Sequence, residues 1–87
     1  MWKVRIESRA EKDLSKLQKH DQRRILDFLE TRLGRRDDPR ELGAALQGPL
    51  AGLWKYRVGP FRLLARIDDG EITIWVVQIG NRREVYR

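Results

Sequence analysis

The stretch Gly52-Leu53-Trp54-Lys55-Tyr56-Arg57-Val58-Gly59-Pro60-Phe61-Arg62-Leu63-Leu64-Ala65-Arg66-Ile67 decides how this chain folds. It reads as two short β-strands joined by a tight turn at Gly59-Pro60. Side chains on a strand alternate between faces. Lys55 and Arg57 therefore share one face, and Trp54, Tyr56 and Val58 the other. On the second strand Arg62, Leu64 and Arg66 lie opposite Phe61, Leu63, Ala65 and Ile67. A two-residue loop pairs Val58 with Phe61 and sets Arg57 directly across from Arg62. Like charges in that position destabilise a sheet. A stable hairpin has no need of them, whereas a site that holds a polyanion does.

Working outward, Trp2, Val4 and Ile6 alternate with Lys3, Arg5 and Glu7, the pattern of a half-buried strand. Ser8-Arg9-Ala10-Glu11 matches a capping box, with Ser8 as the N-cap of a helix that buries Ala10, Leu14 and Leu17. A break is expected near His20, with Asp21 capping a second helix. That helix aligns Ile25, Phe28, Leu29 and Leu33 and stops at Gly34. The two form an antiparallel hairpin of helices over one face of a sheet. Residues 34–52, broken by Gly43, Gly48, Pro49 and Gly52, read as an irregular connection. Asp68-Asp69-Gly70-Glu71 is a turn signal. A strand from Ile72 to Ile79 follows, apolar on both faces and so central. Residues 80–87 form a turn and a short terminal segment. The expected architecture is one α+β domain spanning residues 1–87. It has an N-terminal strand, the helical hairpin, and a three- to four-stranded antiparallel meander with the helices on one face.

Composition narrows the function. Eighty-seven residues suffice for one small domain. There is no cysteine, hence no disulfide, thiolate ligand or thiol nucleophile, and a single histidine rules out a His–His acid/base pair. The net charge of +6 favours an acidic partner such as nucleic acid. No apolar run approaches a membrane span, and the alternating N-terminus is unlike a signal peptide. A soluble cytoplasmic protein with no membrane partner is expected. Asp37-Asp38 before Pro39 reads as a turn, so no metal site is assigned.

Lys55, Arg57 and Arg62 converge on one hairpin face. Arg82 follows Gly80 at the end of the next strand, with Tyr86 four residues on. If that strand is adjacent, these residues border one shallow groove suited to a phosphodiester. Arginine forks clamp non-bridging oxygens, and a tyrosine ring stacks on an unpaired base. The same basic residues also suit an ordinary solvated sheet face, and Tyr86 a packing role. Trp54, Tyr56 and Trp75 read as core.

Several segments together resemble one family. They are Ala10-Glu11-Lys12-Asp13-Leu14-Ser15-Lys16-Leu17, Gly48-Pro49-Leu50-Ala51-Gly52, the Trp54–Arg62 hairpin, and Ile79-Gly80-Asn81-Arg82-Arg83-Glu84-Val85-Tyr86. In this order and spacing the chain is similar to the RelE toxins of type II toxin–antitoxin systems, within the RelE/ParE superfamily. The resemblance implies a ribosome-dependent endoribonuclease that cuts mRNA in the 30S A site by attack of the 2′-hydroxyl on the adjacent phosphate. No metal or cofactor is implied. It carries the catalytic positions to Lys55, Arg57, Arg62, Arg82 and Tyr86, with Arg83 and Arg66 as further RNA contacts. It also implies a RelB-like antitoxin whose helical segment wraps the toxin. The toxin would be a monomer when free and part of a hetero-oligomer with its antitoxin. Arg57 departs from the family, whose best-studied enzymes have lysine there. Arginine is a poor proton acceptor, so Lys55 or Tyr86 is left as general base. A ParE-like gyrase inhibitor and a non-catalytic RNA-binding module are the alternative readings.

Overall fold

A computed structural model describes residues 1–81. In chain order these form β1 (Lys3–Ile6), α1 (Ser8–Ser15), α2 (Lys19–Asp27), β2 (Ala44–Ala45), β3 (Leu53–Val58), β4 (Phe61–Asp68) and β5 (Thr73–Asn81). Among the described residues the sheet has five strands in the order β1-β5-β4-β3-β2. The antiparallel meander of β3, β4 and β5 is as the sequence predicts. Two additions complete it. The N-terminal strand β1 pairs parallel with β5, which makes the sheet mixed and β5 central. The two-residue β2 pairs antiparallel with β3 from within the connection expected to be irregular. The expected terminal segment lies outside the described residues from Arg82 onward.

The helices cover one face. Ala10, Ile25, Phe28, Leu29 and Leu33 pack against Tyr56, Val58, Phe61, Leu63, Ala65, Ile74, Val76 and Ile79. Each large apolar side chain removed from water there contributes roughly 1.5–3 kcal/mol, and this burial holds the hairpin against the helices. The stripe Ile25, Phe28, Leu29 and Leu33 is buried as predicted. Its last turn, Phe28–Leu33, is a π-helix that closes with Gly34 N–H donating to Leu29 O at 2.9 Å. Gly34 ends the helix without entering the left-handed region, at φ −65°. Its role is close approach: a Cβ there would lie 3.0 Å from Leu29 O and 3.4 Å from Trp2 O.

Several local expectations are corrected. The N-cap of α1 is Glu7 rather than Ser8, and no side-chain cap bond forms. Glu7 N–H is still paired to Val76 O, so strand geometry persists to Glu7 and the helix starts at once after it. The break between the helices lies at residues 16–18, near His20 as expected, but Gln18 is the N-cap of α2 in place of Asp21. Leu14 and Leu17 are half-buried rather than core. In β5 the register shifts where Leu64 pairs with Gln78 and Ala65 with Val76, leaving Val77 as the extra residue. Ile74, Val76 and Ile79 then face the helices, and Trp75 falls on the other face instead of in the core. Ile72, expected to begin the strand, is exposed in the preceding turn with φ 50°.

Candidate functional site

Gly59 and Pro60 do form a two-residue loop, with Val58 paired to Phe61 and Arg57 to Arg62. Gly59 has φ 57°, the left-handed value that a glycine at the first loop position supplies. Directly opposed residues hold their Cβ atoms about 5 Å apart. The two arginines are thus fixed side by side at the backbone. Their guanidinium groups are free to diverge only at the ends of flexible stems.

The helix-free face of the sheet is built in rows. One row runs Arg57, Arg62, Gly80; the next runs Lys55, Leu64, Gln78; a third runs Leu53, Arg66, Trp75. Gly80, opposite Arg62, presents no side chain to this face. Leu64 is buried although it faces away from the helices, and it gives the half-buried Lys55 an apolar neighbour. Arg57 is exposed, while Arg62 is half-buried with its Nε closed off from solvent.

Charge pairing separates these cations. Arg66 donates to Glu7 at 3.2 Å, and its guanidinium carbon lies 5.6 Å from the Trp75 ring centroid. It is therefore tied to the end of β1. Arg40 likewise donates to Asp69 at 2.6 Å and to Asp38 at 3.3 Å, and stacks near Trp54. These carboxylates raise the Arg40 pKa above its ordinary value, chiefly through Asp69, whose own pKa Arg40 lowers. Neither Lys55 nor Arg57 has an ion pair among the described residues.

Tyr56 lies between Lys55 and Arg57 but points into the core. Its hydroxyl donates to Pro39 O at 2.9 Å, and its ring meets Phe28 at 6.1 Å between centroids. Burial pushes its phenol up to about 12. It anchors the strand that carries the two cations.

The structure therefore brings Lys55, Arg57 and Arg62 to one face, with Arg66 further along and engaged by Glu7. Arg82, Arg83 and Tyr86 lie outside the described residues. The description ends at Asn81, which pairs with Phe61 at the hairpin turn. Among the described residues no three His, Asp or Glu side chains gather to hold a metal ion. No described helix is long and apolar enough to cross a membrane. Sequence reasoning missed Arg24 and Arg32, which meet Arg57 from the helix side around a cavity of about 260 Å³. The signal available was Arg24-x₃-Phe28-x₃-Arg32, whose spacing keeps all three residues close to one helical stripe.

Residues 4–86 match the family described as the ParE toxin of type II toxin–antitoxin systems, parDE. Over 86 residues the chain is 34% identical to Toxin RelG of Mycobacterium tuberculosis, covering 99% of this chain and 97% of that one. The toxin–antitoxin complex RelBE2 of Mycobacterium tuberculosis superposes with a TM-score of 0.86 at 32% identity, over 95% of this chain and 93% of that one. The archaeal RelE–RelB complex of Pyrococcus horikoshii gives 0.73 at 25% identity, over 97% and 98%. By this match over nearly its whole length, the chain belongs to the RelE/ParE superfamily of type II toxin–antitoxin toxins.

Proposed function

We propose that this toxin is an endoribonuclease that cuts mRNA in the A site of the ribosome without a metal or cofactor, and that a RelB-like antitoxin holds it inactive. The observation that carries the reading is the Arg57–Arg62 pair, fixed across the hairpin with Lys55 two residues away on the same face. A phosphate seated there would have guanidinium groups on its non-bridging oxygens. In the reaction the 2′-oxygen bonds to phosphorus and the P–O5′ bond breaks. The 2′ proton goes to a base and the leaving 5′-oxygen gains a proton. The products are a 2′,3′-cyclic phosphate and a 5′-hydroxyl. Arg57 and Arg62 stabilise the charge that grows on the pentavalent phosphorus. Lys55 is the described residue suited to accept the 2′ proton. Arg82 is assigned charge stabilisation or leaving-group protonation, Tyr86 stacking on a base, and Arg83 a phosphate contact.

Support also comes from the relatives named above, a toxin called RelG and the RelBE2 and RelE–RelB complexes. A gyrase-directed action is the second reading, favoured by the match to a family described by ParE. Primer extension of mRNA on programmed ribosomes separates the two. Cuts confined to the A-site codon support the nuclease. Absence of cuts, with gyrase-linked DNA breaks in cells, supports the second reading. Equal cleavage of free RNA would remove the ribosome from the account.

A further inference from the structure

We propose that Arg24, Arg32 and Arg57 form a second phosphate pocket on the helix side of the hairpin, which holds an RNA backbone phosphate away from the bond that is cut. The pocket rests on the nuclease reading for the identity of its ligand, but its geometry is independent of it.

Arg24, Arg32 and Arg57 line one open cavity of about 260 Å³, together with Asp27, Thr31 and Gly59. Arg24 lies flat against the turn: a Cβ on Gly59 would sit 2.6 Å from one of its terminal nitrogens and 2.7 Å from its central carbon. Only glycine lets the guanidinium approach so closely. Arg32 is steered from the next turn of the helix, its central carbon 5.6 Å from the centroid of the Phe28 ring. Arg57 arrives from β3. Among the described residues none of the three makes an ion pair, and neither does Asp27, so three cations against one carboxylate leave this lining net positive. Elsewhere in the fold Arg40 and Arg66 meet carboxylates.

Like charges gathered around one cavity, with no carboxylate paired to them among the described residues, favour an anion between them. Arginine forks match phosphate oxygens in a plane. The lining is mostly polar, which suits a phosphate and offers little to the apolar side chains that a docked peptide would bury. Arg57 stands opposite Arg62 and also lines this cavity. A strand of RNA held at Arg57 and Arg62 is thus next to a second anchor around the Gly59-Pro60 turn.

The test uses the full chain with Arg24→Gln, Arg32→Gln and the conservative Arg24→Lys. Folding of each is checked by urea denaturation. Affinity is measured against KCl concentration for programmed ribosomes whose mRNA carries a 2′-deoxynucleotide at the cut position, so that binding is read without cleavage. Each glutamine variant is expected to weaken binding roughly five- to tenfold and to lower the salt slope by about 1. Arg24→Lys should keep the slope and lose part of the affinity. Unchanged affinity and slope in both glutamine variants would overturn the pocket. So would a loss confined to antitoxin affinity, which would make the ligand an acidic peptide. A labelled RNA hairpin serves as a second probe. Binding to it that depends on Arg24 and Arg32, in a toxin that cuts nothing on ribosomes, would sink the nuclease reading and leave the pocket standing.

Discussion

Tyr56→Phe removes one oxygen from the strand that carries Lys55 and Arg57, and its cost follows from what that oxygen does. The hydroxyl donates to the carbonyl of the buried Pro39 at 2.9 Å. A neutral hydrogen bond contributes about 1 kcal/mol net, and the carbonyl left without a donor adds to the loss. The ring contact with Phe28 is kept, since it involves no hydroxyl. A destabilisation of about 1.5 kcal/mol is expected. It should lower the urea midpoint at constant m-value and the Tm by roughly 6–12 °C in a domain of this size. The pH dependence adds a second handle. Burial pushes Tyr56 up to about 12, against the pull of Arg40 and with the help of Asp38. In the unfolded chain the phenol titrates near ~10. Because the folded value is the higher one, the hydroxyl's contribution is complete below pH ~10. It is lost as the pH rises toward 12, where the unfolded chain releases the proton and the folded chain keeps it. At pH 11 the loss is about 1.4 kcal/mol. Urea titrations of wild type and Tyr56→Phe should therefore differ clearly at pH 7 and almost coincide at pH 11. An equal gap at both pH values would refute a buried, protonated phenol. No gap at pH 7 would refute the hydrogen bond.

Other perturbations have defined signs. Gly34→Ala meets an allowed φ, where an ordinary helix would gain stability. The crowding against Leu29 O and Trp2 O should instead cost about 1–2 kcal/mol in urea denaturation, and a stabilised variant would contradict it. The Glu7–Arg66 pair is about half exposed on both sides. A double-mutant cycle with Glu7→Gln and Arg66→Gln should give a coupling below about 1 kcal/mol that fades in high salt. Where proton acceptance limits the rate, Arg57→Lys should preserve or raise cleavage in a single-turnover assay, because it adds a side chain able to accept a proton. A large fall would mean that the bidentate geometry of Arg57 matters more.

The hairpin was legible because three strong local signals agree. Gly59-Pro60 dictates a two-residue loop, the alternation assigns faces, and the Arg57–Arg62 register follows from both. The helical stripe Ile25, Phe28, Leu29 and Leu33 was legible for the same reason. What was missed depends on partners distant in sequence. The bulge at Val77 is set by how β5 fits β4, and it brings Ile79 onto the core face of Ile74 and Val76, while Trp75 on the opposite face lies against Arg66. β2 is two exposed alanines whose only strand signal is the neighbour they pair with. Ser8 is a sound cap by composition, but β1 runs on through its pairing with β5 and leaves the N-cap position to Glu7. Within the site, parity alone placed Lys55, Arg57 and Arg62 together. Arg24 and Arg32 escaped because only the packing of α2 and the π turn after it against the hairpin brings them to Arg57.

The central claim is that the Arg57–Arg62 pair is a phosphate clamp serving RNA cleavage on the ribosome. The most direct measurement is the single-turnover rate of A-site mRNA cleavage, mapped by primer extension, for wild type and Arg62→Ala, with ribosome affinity measured in parallel. The account predicts A-site cuts by wild type and a rate at least ~100-fold lower in the variant, as when a preorganised charge-stabilising donor is lost, while the ribosome is still bound. A variant that cuts at the wild-type rate, or a wild type that binds ribosomes and leaves mRNA intact, would contradict it.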